Sequence, residues 1–268
     1  MSAFRIGVTG CRGRMGHMIA RAIVETPDTA LAGGTVRSGD ALTGADLGDV
    51  LGLGAQDAPI LDDPVALFAR CDAVIDFTAP ALAATHADLA AQSEAVLVIG
   101  TTGLDDAGQA ALHRAARHTR VIQAANTSLG VTLLLDLVQQ VARALDPSFD
   151  IEIQEMHHRH KVDAPSGTAL ALGRAAAAGR GVNLDDVADR GRDGPTGARE
   201  TGHIGFAVLR GGDVPGEHTV TFAGAGERIE LTHKAGNRSI FAQGAVKAAL
   251  WARDQDPGHY DMKDVLGL

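Results

Sequence analysis

The most constraining feature of this chain lies at its start. A β-prone run, Phe4-Arg5-Ile6-Gly7-Val8-Thr9, ends in Gly10-Cys11-Arg12-Gly13-Arg14-Met15-Gly16, and a helical pattern follows with Met15, Ile19, Ala22 and Ile23 on one face. A strand that breaks on glycines into a helix brings backbone N–H groups and the positive end of the helix dipole to one point, where a pyrophosphate can be held. The spacing is GxxGxxG, with Arg12 where GxGxxG has its second glycine. An ordinary glycine turn is the bland alternative, but the position after a first strand favours dinucleotide binding. Arg12 and Arg14 add two cations at the same helix start, although a solvated surface also accounts for either one.

The pattern that follows alternates. Apolar strands are expected near 31–36, 72–77, 95–99 and 120–124, with helices over about 80–91 and 105–117 between the later ones. Pro80 suits a helix start because its φ is already helical. The stretch 37–63 mixes Gly, Asp and Leu without periodicity and reads as loop with a short irregular helix. Such alternation implies a parallel, doubly wound sheet. After Asn126 the grammar changes to an apolar helix over 129–144, a period-two strand over 150–156 and a helix over 168–178. A polar loop follows near 189–200, and three alternating runs at 204–209, 218–222 and 228–233 read as antiparallel strands joined by glycine-rich turns. The fold class is therefore α/β: an N-terminal Rossmann-like doubly wound parallel sheet plus an α+β domain with a mostly antiparallel or mixed sheet. A last helix over 239–253 packs most simply on the first domain, which gives a dinucleotide-binding domain of residues 1–128 and 240–268 and a substrate-binding and oligomerisation domain of 129–239. The hinge candidates are 126–130 and 236–239.

Composition narrows the partners. With 24 Lys+Arg against 33 Asp+Glu the net charge is −9, which repels phosphate backbones and makes nucleic acid an unsuitable partner. No apolar stretch is long enough for a membrane span, and the opening MSAFRIGVTG has no export-signal pattern, so a cytoplasmic location is expected. Cys11 and Cys71 form no disulfide framework and no CxxC, so both are expected as reduced thiols. In a chain this acidic, any small anionic substrate must be drawn by local positive charge.

Val36-Arg37-Ser38 closes the second strand, where a carboxylate would ordinarily hold the adenosine ribose. A guanidinium there suits a 2′-phosphate, which implies tolerance of, or preference for, NADP(H) over NAD(H). Gly100-Thr101-Thr102-Gly103 and Ala124-Ala125-Asn126-Thr127 follow two later strands, at the sheet edge where α/β proteins bind ligands, and their small residues allow close approach to a nicotinamide. Singly, each is also just a turn.

The densest stretch is Glu155-Met-His-His-Arg-His-Lys-Val-Asp-Ala-Pro-Ser-Gly-Thr168. His157 and His158 would face opposite ways on a continuing strand, with His160 and Lys161 beyond in a loop. The basic run His157 to Lys161 makes an anion sink, and Ser166-Gly167-Thr168 opens a helix with a hydroxyl cap and glycine-freed N–H groups, a seat for a carboxylate. A zinc reading of the three histidines competes, but strand alternation separates the first two and Arg159 and Lys161 repel a divalent ion, so no metal is expected. A solvated basic loop is the remaining alternative. Histidine and lysine near a hydride acceptor can supply a proton and stabilise charge.

These residues resemble those of the bacterial 4-hydroxy-tetrahydrodipicolinate (dihydrodipicolinate) reductase family. The resemblance rests on Gly10-x-x-Gly-Arg-Met-Gly16, Asp76-Phe-Thr78, Gly100-Thr-Thr-Gly103 and, most specifically, Glu155-x-His-His-x-x-Lys-x-Asp-Ala-Pro-Ser-Gly-Thr168. Ile204-Gly-Phe206, Arg210 to His218, Thr232-His-Lys234 and Phe241-Ala-x-Gly-Ala245 extend it over nearly the whole chain. It implies a cytoplasmic homotetramer of the diaminopimelate route to lysine that reduces a cyclic imine dicarboxylate with NADH or NADPH, the second domain's sheet building the tetramer. Carried over residue by residue, Gly10, Cys11, Arg12, Gly13, Arg14, Met15, Arg37, Gly100, Thr101, Thr102, Ala124, Ala125, Asn126 and Thr127 contact cofactor. His157 and Lys161 are the proton-donor pair, and His158, Gly167 and Thr168 bind substrate, with the Ser166 cap anchoring a carboxylate. Two departures stand out: Val36 occupies the acidic ribose-binding position, and Thr127 stands where an aromatic residue is frequent.

The reading is an NAD(P)H-dependent oxidoreductase in which the two positively polarised pockets, one for a diphosphate and one for a diacid, meet across a cleft. Its rivals are a dinucleotide-binding sensor without turnover and a zinc-dependent hydrolase.

Overall fold

The computed structural model describes residues 3–268; Met1 and Ser2, the first residues of the stretch read for an export signal, lie outside the described residues. The chain divides into two compact units, one of residues up to Leu129 with Ser239–Leu268, the other Gly130–Arg238.

The first unit runs β1 (Phe4–Thr9), α1 (Arg14–Glu25), β2 (Thr29–Thr35), α2 (Leu47–Val50), β3 (Ile60–Leu61), α3 (Pro64–Phe68), β4 (Ala73–Asp76), α4 (Ala83–Ser93), β5 (Val96–Ile99), α5 (Asp106–Ala115) and β6 (Arg120–Gln123). In the second unit come α6 (Leu129–Ala144, whose first residue belongs to the first unit), β7 (Asp150–His157), α7 (Gly167–Arg180), α8 (Leu184–Val187), β8 (Ala188–Asp189), β9 (Ile204–Arg210), β10 (Glu217–Gly224) and β11 (Glu227–Lys234). The chain then returns to the first unit with α9 (Ser239–Ala252), β12 (Gly258–Tyr260) and α10 (Met262–Leu266).

In the first unit seven strands in the order β12-β6-β5-β4-β1-β2-β3 pair in parallel throughout. Both faces are covered, so the strands read as continuous apolar runs. Ile6, Ile75, Val96 and Val98 pack on the α1 and α9 side, while Val74, Leu97 and Ile99 pack on the α3, α4 and α5 side. The strand order reverses between β1 and β4, and the ends of those strands are where a doubly wound sheet opens a crevice. Gly16 lets α1 close on the turn that feeds it, since a Cβ there would lie 2.5 Å from the Gly10 carbonyl oxygen. Two strands of this sheet had no sequence expectation: β3, inside the stretch read as loop, and β12, which extends the sheet beyond β6.

The second unit holds a five-stranded sheet, β11-β10-β7-β9-β8. The expectation of three antiparallel strands over 204–233 needs correction. β10 is antiparallel to β11 and to β7, but β9 runs parallel to β7 and does not pair with β10. Alternation reveals which face of a strand is buried and carries no information on direction, so β9 could not be oriented from its pattern. Ile151, Ile153, Phe206, Val220 and Phe222 bury one sheet face under Leu134 and Val138 of α6 and Leu172 and Ala176 of α7. Arg199 fastens the polar 189–200 loop to β7 through Asp150, Glu152 and the Ile151 carbonyl.

One close approach in the first unit is testable. A Cβ on Gly244 of α9 would run into the Thr127 carbonyl, so two backbones must separate. Gly244→Ala is expected to lose about 1–3 kcal/mol in urea unfolding, whereas Gly236→Ala, with nothing within 4 Å of its Cβ position, should change stability by less than about 0.5 kcal/mol. Equal losses would reject the packing argument.

Candidate functional site

In the first unit, a cavity of about 820 Å³ opens at the strand-order reversal and brings together Gly10, Arg12, Gly13 and Arg37, with Thr35, Asp40, Phe77, Thr78 and His86 among its other walls. Gly10 has φ +61°, a left-handed conformation that glycine adopts without strain. Gly13 is the N-cap of α1 with no side-chain cap, so the first-turn N–H groups a helix leaves unpaired have no competing side chain. Arg14 is exposed and Met15 half-buried at that turn.

Arg12 is not a free cation. Its Nη1 lies 2.6 Å from Asp40 Oδ2, and the Asp40 carboxylate also accepts from the Leu42 N–H at 3.0 Å. That backbone bond and the Arg12 guanidinium hold the Asp40 carboxyl below the usual carboxylate range. The structure thus places a carboxylate in the same cavity as Arg37, four residues past Val36, where the sequence reading found none.

Asp76 ends β4 fully buried. It accepts from Thr9 Oγ1 at 2.9 Å, Thr78 N at 2.8 Å and Thr78 Oγ1 at 2.6 Å, with His86 Nδ1 at 2.7 Å on its other oxygen. Burial opposes its ionisation, but His86 and Thr78 outweigh it and hold the carboxyl below its ordinary value. The effect is to lock the β1 and β4 ends at a fixed spacing.

At the next strand ends, Gly100 leaves room for the Phe77 ring, where a Cβ would collide. Thr101 is buried with its Oγ1 unpartnered, and Thr102 and Ala125 are exposed beside buried Ala124. Asn126 Oδ1 accepts from Ser128 N at 2.9 Å. At two of the expected contact positions the side chain is turned inward. Cys11 is fully buried with its N–H on the Thr35 carbonyl, and burial pushes its thiol up to about 11. Thr127 is fully buried with its hydroxyl on the Phe241 carbonyl. Both side chains are packed within the unit's interior.

In the second unit, His157 ends β7 and is 8% exposed. Its Nδ1 lies 2.6 Å from Glu155 Oε2, and a Cβ on Gly216 would lie 2.9 Å from its Nε2, so the absence of a side chain there keeps that nitrogen clear. Glu155 is buried and also takes both Arg210 Nη atoms at 2.8 Å and the Ser166 N–H at 3.0 Å. Burial opposes its ionisation, but these donors outweigh it and hold the carboxyl below its ordinary value.

Ser166 is the N-cap of α7, its Oγ accepting from Ala169 N at 3.1 Å. It is only 1% exposed and braces the helix start, where Gly167 is exposed and Thr168 half-buried. His158 continues past the strand, with its N–H on the Val214 carbonyl and its Nε2 3.1 Å from Arg238 Nη2. Burial, then the Arg238 charge, lowers its pKa, so Arg238 donates to a neutral imidazole. Lys161 Nζ sits 2.9 Å from Asp163 Oδ1. Arg238, Arg210 and His218 escaped the sequence reading as site residues because each lies far along the chain from the motif it joins; the Arg210 to His218 run was seen only as part of a resemblance. Among the described residues no three His, Cys, Asp or Glu side chains converge as metal ligands, and no helix is long and apolar enough to cross a membrane.

Comparison with known proteins agrees with this arrangement. Residues 4–127 match the family model described as dihydrodipicolinate reductase, N-terminus, and residues 130–266 match its C-terminus counterpart. The chain is 57% identical over 263 residues to the 4-hydroxy-tetrahydrodipicolinate reductase of Dinoroseobacter shibae, covering 98% of each chain. It is 54% identical to that of Rhizobium rhizogenes, covering 99% of this chain and 97% of the other. Among solved structures, dipicolinate-bound dihydrodipicolinate reductase from Paenisporosarcina sp. TG-14 shares the fold with a TM-score of 0.77 at 22% identity over 97% of both chains.

The buried histidine beside Ser166 generates a pH prediction. His218 Nε2 lies 3.1 Å from Ser166 Oγ, and burial, then the His157 charge, lowers its pKa from 6.5 to about 4. The folded state therefore resists a proton that the unfolded chain accepts, so stability is full above pH 6.5 and declines as pH falls towards 4. The decline is about 3 kcal/mol in urea unfolding, and His218→Gln should flatten most of it. Parallel pH curves for the two proteins would refute the assignment.

Proposed function

Because this chain belongs to the dihydrodipicolinate reductase family and is an NAD(P)H-dependent oxidoreductase, we propose that its first unit holds the dinucleotide and its second reduces 4-hydroxy-tetrahydrodipicolinate to tetrahydrodipicolinate, with His157 as proton donor. The observation that carries this is His157 itself, fixed through Nδ1 on Glu155 with Nε2 kept clear by Gly216. Neither the matched families nor the site supports a sensor without turnover or a zinc hydrolase.

The residues of the first unit fit a dinucleotide. The uncapped α1 start and the left-handed Gly10 present backbone to a pyrophosphate, and the orphaned Thr101 hydroxyl lies at the adjoining strand end, suited to a carboxamide. When bound, the nicotinamide supplies a hydride. Arg12, Arg37 and Asp40 set the charge at the adenosine end.

Replacing the 4-hydroxyl by hydrogen brings a hydride in and sends hydroxide out, so one proton is consumed to release water. His157 Nε2 delivers it, and the Lys161 ammonium, steadied by Asp163, favours the negative charge that builds before protonation. The α7 start, with Gly167 exposed and Thr168 half-buried, seats one substrate carboxylate, and His158 with Arg238 faces a second polar group.

Homotetramer assembly in the cytoplasm is part of the same reading. The sheet face of the second unit away from α6 and α7 stays uncovered, with Leu209 44% exposed and Gln154 also exposed, which supports a sheet-to-sheet interface; sedimentation should give the mass of four chains.

His157→Gln is expected to lower kcat by about 10²–10⁴ in a 340 nm assay with synthase-generated substrate; a value within threefold of the parent removes His157 from the role. For the cofactor, Asp40→Asn removes a carboxylate facing the adenosine end and releases Arg12. The Kd for NADPH, followed by cofactor fluorescence, should then fall about tenfold relative to that for NADH. An unchanged ratio, or a parent kcat/KM at least tenfold higher with NADH, rejects this account of Arg37 and its neighbours.

A further inference from the structure

Glu155 carries more connections than a partner for one histidine requires. It is 1% exposed, and its two oxygens take four donors: Arg210 Nη1 and His157 Nδ1 on Oε2, Arg210 Nη2 and the Ser166 N–H on Oε1. Arg210 comes from β9, where it is the register partner of His157, and its Nη2 also donates to the Asp163 carbonyl at 2.6 Å. One carboxylate therefore joins the proton donor to the helix start that seats the substrate, and one guanidinium joins that carboxylate to the loop carrying Lys161.

We propose that Glu155 and Arg210 are positioning residues of the reduction: Glu155 fixes the His157 proton on Nδ1, so that Nε2 faces the substrate, and Arg210 limits how tightly the carboxylate holds the imidazolium. This rests on the reading of His157 as proton donor. A carboxylate with no counterion would make the imidazolium too weak an acid to give up its proton readily. A carboxylate neutralised outright, as a glutamine would be, would leave the ring largely unprotonated at neutral pH. The bidentate guanidinium shares the carboxylate's charge and so stands between those two cases. His157 also faces His218 of β10, whose ring centroid is 5.1 Å away, and it shares its surroundings with His158 and Arg238, and with the Lys161 and Asp163 pair. His158 and His218 are held neutral by burial and the nearby positive charge, and Lys161 is matched by Asp163. The pair Glu155 and Arg210 is thus the adjustable charge next to the ring. No proton passes to Glu155; after turnover His157 is neutral, with Nδ1–H still on the carboxylate, and is reprotonated at Nε2 from solvent.

Nitrogen-15 NMR of histidine-labelled protein, free of ligands, tests this without turnover. In the parent, neutral His157 should carry its proton on Nδ1; a proton on Nε2 overturns the proposal, and this measurement needs no variant. Glu155→Gln should lower the His157 titration midpoint and Arg210→Gln should raise it, each by about one unit, and the alkaline limb of kcat should move the same way in each variant. Shifts in the same direction, or none, overturn the proposal. Arg210→Lys, which retains charge without the fork, should bring the midpoint back towards the parent even where Arg210→Gln folds poorly. The two readings fail separately: an active His157→Gln protein removes the proton donor, whereas an inactive one with an unmoved titration in both partner variants removes only the roles of Glu155 and Arg210.

Discussion

A carboxylate removed from water must be surrounded by donors or give up its charge, and the second unit is arranged around that demand at Glu155. The donors come from three directions: Arg210 on the neighbouring parallel strand, His157 on the same strand and Ser166 at the start of a helix. No two of these are placed together by local sequence preference alone. The sheet sets Arg210 beside His157 in register, and the loop after His157 brings Ser166 back to Glu155. The unit's packing and its chemistry therefore depend on the same few bonds, and a change that loosens one moves the other.

The first unit solves a related problem with Asp76. It too is a buried carboxylate near the carboxyl end of a central strand, satisfied by two threonines and a histidine from different elements. Here the bonds hold β1, β4 and α4 at the crevice, so the glycine turn stays open on the ligand side. The cradle is made of backbone, with Gly10 in a left-handed conformation and Gly16 letting α1 close. Side chains matter at its rim, where Arg12 and Asp40 meet.

What was legible in the sequence follows the range of the interaction. The glycine turn, the α7 start and the basic run are set by neighbours a few residues away, and the strands of a covered parallel sheet announce themselves as apolar runs. The direction of β9 and the existence of β12 depend on pairings made far along the chain, and period-two patterning is blind to both. The same holds within the site. Arg210 lies 55 residues from Glu155 and Arg238 lies 80 from His158, so neither could be joined to its partner by spacing. Asp40 was hidden differently: a carboxylate was sought at residue 36, whereas the loop after β2 brings one in four residues later and pairs it with Arg12. Cys11, Thr127 and Ser166 were assigned by position in a motif, and their burial, which position does not reveal, gives each an internal hydrogen bond or packing role as well.

The basic run illustrates why counting charges along a sequence misjudges a site. His157 to Lys161 looks like a dense cation in a chain of net charge −9. In the fold, burial and then the Arg238 charge lower the His158 pKa, Asp163 matches Lys161, and His157 pairs with a carboxylate already shared with Arg210. The attraction for a dicarboxylate is therefore not the sum of the run. On the proposed reading it comes from the helix start at Gly167 and from cations delivered by distant strands and loops. A site built from permanent charge would bind a diacid and do nothing further; in the proposed mechanism the imidazole of His157 is what lets the same cluster also deliver a proton.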